Sequence, residues 1–305
     1  MKVVSVNTSE KKGTIKNSVP VITLNSRGVD GDAHAGSWHR QVSLLAVESM
    51  ERFSTKLGRI AVPGEFAENI TTSGVELHLL RPFDRLAFNN VLLEITQIGK
   101  KCHGEGCAIY NEVGNCVMPK EGIFARVLHS GTIKAGDTFT VEPKIYKCLV
   151  ITMSDRASRG EYEDKSGPLL KQLVQEYFET NGRKIVFEMV ILPDEEDALL
   201  DKVILSHNYD LIFTTGGTGI GKRDITPDVI KGVLDKEIPG IMELIRTKYG
   251  AEKPNALLSR GVAGVKGNTL IFTIPGSPKA IKEYVDEINK IIFHAFLMLA
   301  GIDGH

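Results

Sequence analysis

No apolar run in this sequence is long enough to cross a bilayer. The strongest candidate, IIFHAFLMLAG from residue 291, is short and interrupted by His294, whereas a spanning helix needs about 20 apolar residues. The opening MKVVSVNTSEKKG has no long apolar core of the kind a secretion signal carries. Four cysteines in 305 residues make no disulfide framework. Charge of one sign is also missing. With 37 basic and 38 acidic residues the net charge is −1, which gives no general pull toward nucleic acid or a membrane surface. Repeats and low-complexity tracts are absent. These absences lead to the expectation of a cytoplasmic protein with neither a membrane nor a nucleic-acid partner.

What is present is enough apolar residue (42%) for two cores. Residues 1–142 carry short β-type runs separated by turn residues: Met1–Val6, Gln41–Leu45, Asp84–Phe88, Val91–Ile98 and Thr138–Val141. Asn89-Asn90 fits a two-residue hairpin turn. Only Ala46–Leu57 reads as helix. The pattern predicts a mostly-β barrel or strongly curved sheet. After a linker at 143–145, residues 146–305 alternate strand and helix. Strands are expected at Lys147–Ser154, Lys184–Leu192, Asp210–Thr215 and Asn268–Ile274. Helices are expected at Ser166–Gly182, Glu195–Asn208, from Thr226, at Gly240–Tyr249, and from Ser277 to about Leu299. That order predicts a mostly parallel sheet covered on both faces.

The loops after those strands would gather at one sheet edge, where such folds hold ligands. They are Ser154-Asp155-Arg156, Pro193-Asp194-Glu195, the glycine-rich Gly216–Ile225, and Pro275-Gly276-Ser277-Pro278. Strand, glycine loop and then helix offers backbone N–H donors to an anion. Thr226 is placed as cap of the following helix, with Pro227 at its first position. Two generic phosphate motifs fail. The spacing from Gly216 to Lys222 fits a P-loop, but Arg223 stands where Ser or Thr should hold Mg²⁺, and the glycines lack the dinucleotide spacing. Acidic residues in such loops suit Mg²⁺ and phosphate chemistry. Each candidate also has a plainer reading: Asp194 as a helix cap, Asp224 as a cap or a partner of Arg223, Ser277 as a cap in any case, and Lys222 as a solvated loop residue.

Taken together, TTGGTGIGKRDITPD (214–228), ITMSDRASRGEYEDKSGP (151–168), ILPDE (191–195) and IPGSPKAI (274–281) closely resemble the Mog/MoaB family of molybdopterin adenylyltransferases. The resemblance implies a three-layer α/β/α domain, usually trimeric. It implies Mg²⁺-dependent transfer of AMP from ATP to molybdopterin, with release of pyrophosphate. The family's catalytic, Mg²⁺-holding aspartates fall on Asp194 and Asp224. Its substrate-binding positions fall on Ser154, Asp155, Thr215, Gly216, Gly217, Thr218, Gly219, Arg223, Thr226, Gly276, Ser277 and Lys279. A molybdate-insertion enzyme is the partner implied downstream. A non-catalytic carrier of molybdopterin is the competing reading.

In the first half, GVDGDAHAG (28–36), WHRQVSLL (38–45), PGEFAENITTSG (63–74), CVMPKEGIFARV (116–127) and SGTIKAGD (130–137) resemble a MOSC domain. That resemblance implies a module that binds, carries or sulfurates molybdenum (or tungsten) cofactor through one cysteine. Cys116 is the choice, with Cys102 and Cys107 next. Lys101, Arg126, His34, His39 and Arg40 are candidates for the positive surroundings a thiolate needs. By spacing alone, Cys102, His103, Cys107 and Cys116 also suggest a metal site, and Cys116 otherwise reads as a small buried residue. Asn69 and Thr71 either contact ligand or stabilise turns. Cys148, in an apolar strand, is expected in the core.

Overall fold

A computed structural model describes residues 1–101, 116–206 and 208–302. The chain divides into two compact units, Met1–Lys144 and a second beginning at Ile145.

The first unit contains β1 (Lys2–Thr8), β2 (Asn17–Val19), β3 (Val21–Asn25), β4 (Gly28–Val29), β5 (Val42–Ala46), α1 (Val47–Leu57), β6 (Ile70–Ser73), β7 (Arg85–Phe88), β8 (Leu92–Ile98), α2 (Met118–Glu121), β9 (Ile123–His129), β10 (Gly131–Lys134) and β11 (Phe139–Glu142). Eight strands form one sheet in the order β11-β7-β8-β9-β5-β6-β1-β2, and β10-β3-β4 form another. The large sheet is mixed, because β5 and β6 run parallel while their neighbours pair antiparallel. Alternation along β3, exposed-buried-exposed-buried, sends Ile22 and Leu24 into a core shared with Val6, Leu44, Ile70, Leu93 and Ile123. The Asn89-Asn90 hairpin forms as expected, with Phe88 N–H donating to Val91 O at 2.9 Å. Strands β2, β3, β4, β6, β9 and β10 fall outside the expected runs. The runs of β2, β4, β6 and β10 are two to four residues long, too short for an alternation to show, and pairing across the sheet makes them strands. By contrast, β3 (VITLN) and β9 (IFARVLH) carry a strand signal in their own apolar residues. Antiparallel bonding also reaches from β1 toward β11 at the far end of the sheet. Val3 N–H donates to Asp137 O (2.8 Å), Gly136 N–H to Val3 O (2.9 Å), and Lys2 bridges Thr138.

The second unit contains β12 (Ile145–Met153), α3 (Asp155–Ser158), α4 (Ser166–Thr180), β13 (Lys184–Leu192), α5 (Glu196–Ile204), β14 (Leu211–Thr215), α6 (Thr226–Val233), β15 (Lys236–Glu237), α7 (Pro239–Gly250), β16 (Ala263–Lys266), β17 (Thr269–Ile274), α8 (Pro278–Asn289) and α9 (Ile292–Leu299). The sheet order is β13-β12-β14-β17-β16-β15. Its first four strands are parallel, and β16 and β15 add an antiparallel edge. Odd-numbered strand residues Leu149, Ile151 and Met153 pack with Leu199 and Val203 of α5 and Ile230 of α6. On the opposite face Tyr146 meets Phe178 of α4 edge-on, 5.2 Å between ring centres. Helices therefore cover both faces. Strands β14 and β17 are buried at every position, as a central parallel strand requires. The long final helix expected from Ser277 is two helices instead. At Lys290 and Ile291 the bonds tighten to the third residue back, a 3₁₀ turn. The break directs Ile292 and Phe296 into the core, where Phe296 meets Tyr146 at 4.9 Å.

Candidate active site

Register aligns the carboxyl ends of the parallel strands. Met153 pairs with Leu192, Thr152 with Thr215, and Thr215 with Ile274. The loops leaving those residues therefore share one edge. Gly216 leads the chain out of β14 at φ +97°, and a Cβ there would lie 2.4 Å from Met153 O. Only glycine passes so close to a backbone in that conformation. Gly276 packs closely too, since a Cβ on it would lie 3.5 Å from Gly216 Cα. The Gly216 N–H donates to Ile274 O at 3.1 Å, so it is taken. The amides of Gly217, Thr218 and Gly219 donate to no acceptor among the described residues. Three neighbouring donors of this kind form a cradle for an anion.

The acids are held by one another's backbones. Asp155 N–H donates to Asp194 Oδ2 (3.0 Å), and Asp194 N–H donates to Asp155 Oδ1 (3.1 Å). Arg223 grips Asp155 through Nε (3.0 Å) and Nη2 (2.6 Å). The Arg223 hydrogen bond holds the Asp155 carboxyl below its usual range. Burial pushes the Asp194 carboxyl up, and the charges of Asp155 and Asp224 add to this. Asp194 Oδ1 is buried without a hydrogen-bond partner, as is Thr226 Oγ1. Both point at Gly217, where a Cβ would lie 2.5 Å from Thr226 Oγ1 and 3.3 Å from Asp194 Oδ1. Unsatisfied buried oxygens are costly and mark a place kept for something else. Asp224 Oδ2 accepts from Gly221 N–H at 2.7 Å.

Several expectations change here. Thr226 does not cap its helix. It is the first helical residue, its N–H donates to Gly217 O at 3.2 Å, and its hydroxyl faces the crevice. Asp194 does not cap the helix that follows it, because α5 starts without a side-chain cap. Asp224 does not pair with Arg223, which is committed to Asp155. Ser154 and Ser277 do act as caps, accepting from Ala157 N–H (3.2 Å) and Ala280 N–H (3.3 Å). Thr215 is fully buried, with its hydroxyl donating to Pro275 O at 3.3 Å. Lys222 is exposed.

Thr218, Gly219, Ser277, Lys279, Lys253 and Tyr284 border a cavity of about 350 Å³ beside the loop. Lys253 was not singled out from the sequence. It neighbours Lys279 and lowers that residue's pKa by hydrogen bonding and charge, while its own ammonium pairs with Glu283 at 2.7 Å. Asp164 and Ser166 were also missed. Asp164 accepts from Thr152 Oγ1 (2.7 Å) and Ser166 N–H (2.9 Å), and Ser166 Oγ donates to Gly276 O at 2.7 Å. They tie the loops after β12 and β17 together. Arg260 is the fourth omission, and no motif marks it. Among the described residues, no group of three or more His, Cys, Asp or Glu side chains gathers closely enough to hold a metal alone. The hard carboxylate oxygens of Asp194 and Asp224 nevertheless fit Mg²⁺, which keeps most of its waters and takes one or two carboxylates plus substrate phosphates.

In the first unit Cys116 is 9% exposed and packs with Phe53, Phe66, Met118 and Phe124. Arg40 and Lys100 lie 5.9 and 6.0 Å from the Phe124 ring. Arg40 also stacks over Trp38 at 4.7 Å, and His34 lies parallel to that ring at 6.3 Å. Burial, then the charge of Lys16, brings the His34 pKa down to about 4, so it is neutral at pH 7. Its Nδ1 and the Arg40 Nε are buried without partners. Arg126 pairs with Glu94 at 2.7 Å, and Lys101 is exposed. Asn69 and Thr71 are fully buried in an internal network. Asn69 Oδ1 accepts from Ser43 Oγ (3.0 Å), and Thr71 Oγ1 donates to Glu68 Oε1 (2.8 Å). Cys102, His103 and Cys107 lie outside the described residues. Cys148 is in the core, and burial pushes its thiol pKa up.

Residues 149–294 match the family described as "Probable molybdopterin binding domain", and residues 31–140 match the MOSC domain. A molybdopterin adenylyltransferase of Helicobacter pylori (strain J99) is 38% identical over 155 residues, which is 50% of this chain and 86% of that protein. The Drosophila melanogaster protein named molybdenum cofactor synthesis protein cinnamon is 39% identical over 149 residues, covering 48% of this chain and 24% of that one. A solved structure of the molybdopterin biosynthesis enzyme MoaB from Thermus thermophilus is 34% identical, with 51% of this chain and 97% of that chain covered and a TM-score of 0.46. With its β-sheet unit matching MOSC and its α/β unit matching these nucleotidyltransferases, the chain belongs to the Mog/MoaB-type molybdopterin adenylyltransferase family.

Proposed function

We propose that the second unit transfers AMP from ATP to molybdopterin. The observation that carries this reading is the convergence of two unpartnered buried oxygens, Asp194 Oδ1 and Thr226 Oγ1, beside a row of free loop amides. In the transfer, the terminal phosphate of molybdopterin attacks the α-phosphorus of ATP. A phosphoanhydride bond forms and pyrophosphate leaves. Such chemistry asks for positioning and charge neutralisation rather than a covalent intermediate. The amides of Gly217, Thr218 and Gly219 cradle one phosphate. Asp224, fixed by the Gly221 N–H, orients the attacking phosphate or shares Mg²⁺ with Asp194. Mg²⁺ supplies charge neutralisation at the ATP phosphates. Arg223, held off by Asp155 through an exposed pair, is placed to exchange that partner for a phosphate oxygen. Lys279 and Ser277 line the adjoining cavity and bind the rest of the substrate.

The first unit, residues 1–142, serves the same cofactor before or after this step. The bonds joining β1 to the segment before β11 support reading it as a MOSC-type barrel. Arg40 and Lys100 around Phe124 and Trp38 supply the electropositive setting that an anionic cofactor near Cys116 needs. Strand β13, at the sheet edge, exposes Val186, Met189 and Ile191. Covering them supports assembly into a trimer through the second unit. The cytoplasm is the proposed compartment, and a molybdate-insertion enzyme the proposed recipient. The test is pyrophosphate release from molybdopterin, ATP and Mg²⁺. Asp224→Ala should lower the rate at least about 100-fold while retaining bound molybdopterin. Binding without release in the wild type would instead mark a carrier.

A further inference from the structure

Arg260 lies between Ser259 and Gly261, ahead of β16, and its side chain is wholly engaged. Nε donates to Gly219 O at 2.7 Å, Nη1 to both Asp228 carboxylate oxygens at 2.9 Å, and Nη2 to Asp224 O. Its own backbone N–H donates to Thr218 O at 2.8 Å. These partners are the start of the glycine loop, its end, and the first turn of α6. One residue therefore closes the loop on itself.

The enclosed group is the Asp224 carboxylate. A Cβ at Gly219 would lie 2.8 Å from Asp224 Oδ2, and one at Gly221 would lie 2.9 Å from it. The carboxylate thus rests against the bare backbone of both glycines, and its position follows theirs. We propose that Arg260 is the positioning residue for Asp224: it fixes the two ends of the loop so that the carboxylate meets the reacting phosphates, without touching substrate itself. The planar guanidinium has donors on all three nitrogens in a fixed fork, and all three are used. A lysine ammonium offers one point and cannot span the three acceptors. The pair with Asp228, whose side chain is 67% exposed, adds little to stability. The bonds to the two loop carbonyls set geometry. Losing them costs position more than folding.

The proposal rests on the adenylyl-transfer reading, so its test has one arm that does not. In the full chain, Arg260→Ala and Arg260→Lys are compared with wild type by amide hydrogen exchange at Gly221 and Asp224, whose N–H groups are bonded within the loop. They are also compared by steady-state pyrophosphate release and by thermal melting. Exchange in the loop should rise at least about tenfold in both variants. The turnover number should fall about 10- to 100-fold with the KM for molybdopterin little changed and the melting temperature nearly kept. Added guanidinium ion should restore part of the turnover of Arg260→Ala. Unchanged loop exchange, or a loss expressed only in KM, overturns the positioning role. If the wild type releases no pyrophosphate, the functional reading falls, and the exchange result alone decides the role of Arg260.

Discussion

Replacing Gly217 with alanine puts one carbon where the crevice needs space. Its φ of +61° costs an L-residue about 1–2 kcal/mol. The new Cβ would also meet Thr226 Oγ1 at 2.5 Å and Asp194 Oδ1 at 3.3 Å. Overpacking of that kind costs about 1–3 kcal/mol more. The second unit should therefore lose roughly 2–5 kcal/mol, with melting lowered by about 2–4 °C for each. If contact with the Thr226 hydroxyl is the cause, Gly217→Ala/Thr226→Ala regains the overpacking part and keeps only the backbone strain. A double-mutant cycle followed by calorimetry should then show coupling of about 1–3 kcal/mol. Turnover should stay lost in the double variant, because the hydroxyl is gone and Asp194 Oδ1 is still crowded. Additive effects of the two changes, or full activity in Gly217→Ala, would refute the convergence on Gly217.

Gly216→Ala should be worse and beyond rescue by any side-chain change, because the obstructing atom is Met153 O at 2.4 Å; expression and melting check this. Burial sets the Asp194 folded-state pKa above the ordinary 3.8. Its contribution to stability is therefore present below that value and lost as pH rises through the folded one. Asp194→Asn should thus melt higher than wild type at neutral pH, with a gap that narrows on acidification, while turnover disappears. Asp155→Asn removes a negative neighbour of Asp194, so the acid limb of the wild-type rate profile should move to lower pH. In the first unit, burial alone would raise the Asp32 pKa. Hydrogen bonds from Lys16 and from the His34 and Ser9 N–H groups outweigh that and lower it below 3.8. Its contribution is thus present above about pH 3.8 and is lost as pH falls through the folded value. Lys16→Met strands that buried carboxylate and should cost about 3–5 kcal/mol at neutral pH, read by denaturant melts.

The alternating strands and helices of the second half were legible because each parallel strand is an apolar run of ordinary length. Lys184–Leu192 has the same limits in sequence and structure. Strand β16 was not, since AGVK carries little β signal and forms by pairing with β17. The loops of the site could be read from glycine and acid placement. Their internal partnerships could not. Asp155 and Arg223 are 68 positions apart, and only the register of β12 against β13 and β14 brings them together. Thr226 read as a cap because Thr before Pro usually is one. The structure turns its hydroxyl to the crevice instead. Arg260 left no trace because its partners are mostly backbone carbonyls, which any sequence supplies. In the first unit, the buried pairing of Lys16 with Asp32 depends on where two loops meet, and no periodicity encodes that.

Whether this chain joins AMP to molybdopterin is decided by mass analysis of the pterin itself, recovered after the intact protein is incubated with molybdopterin, ATP and Mg²⁺. Wild-type protein should yield molybdopterin carrying one AMP, formed in step with pyrophosphate, and neither Asp194→Ala nor Asp224→Ala should yield it. Recovery of unmodified molybdopterin from wild-type protein that binds both substrates would contradict adenylyl transfer.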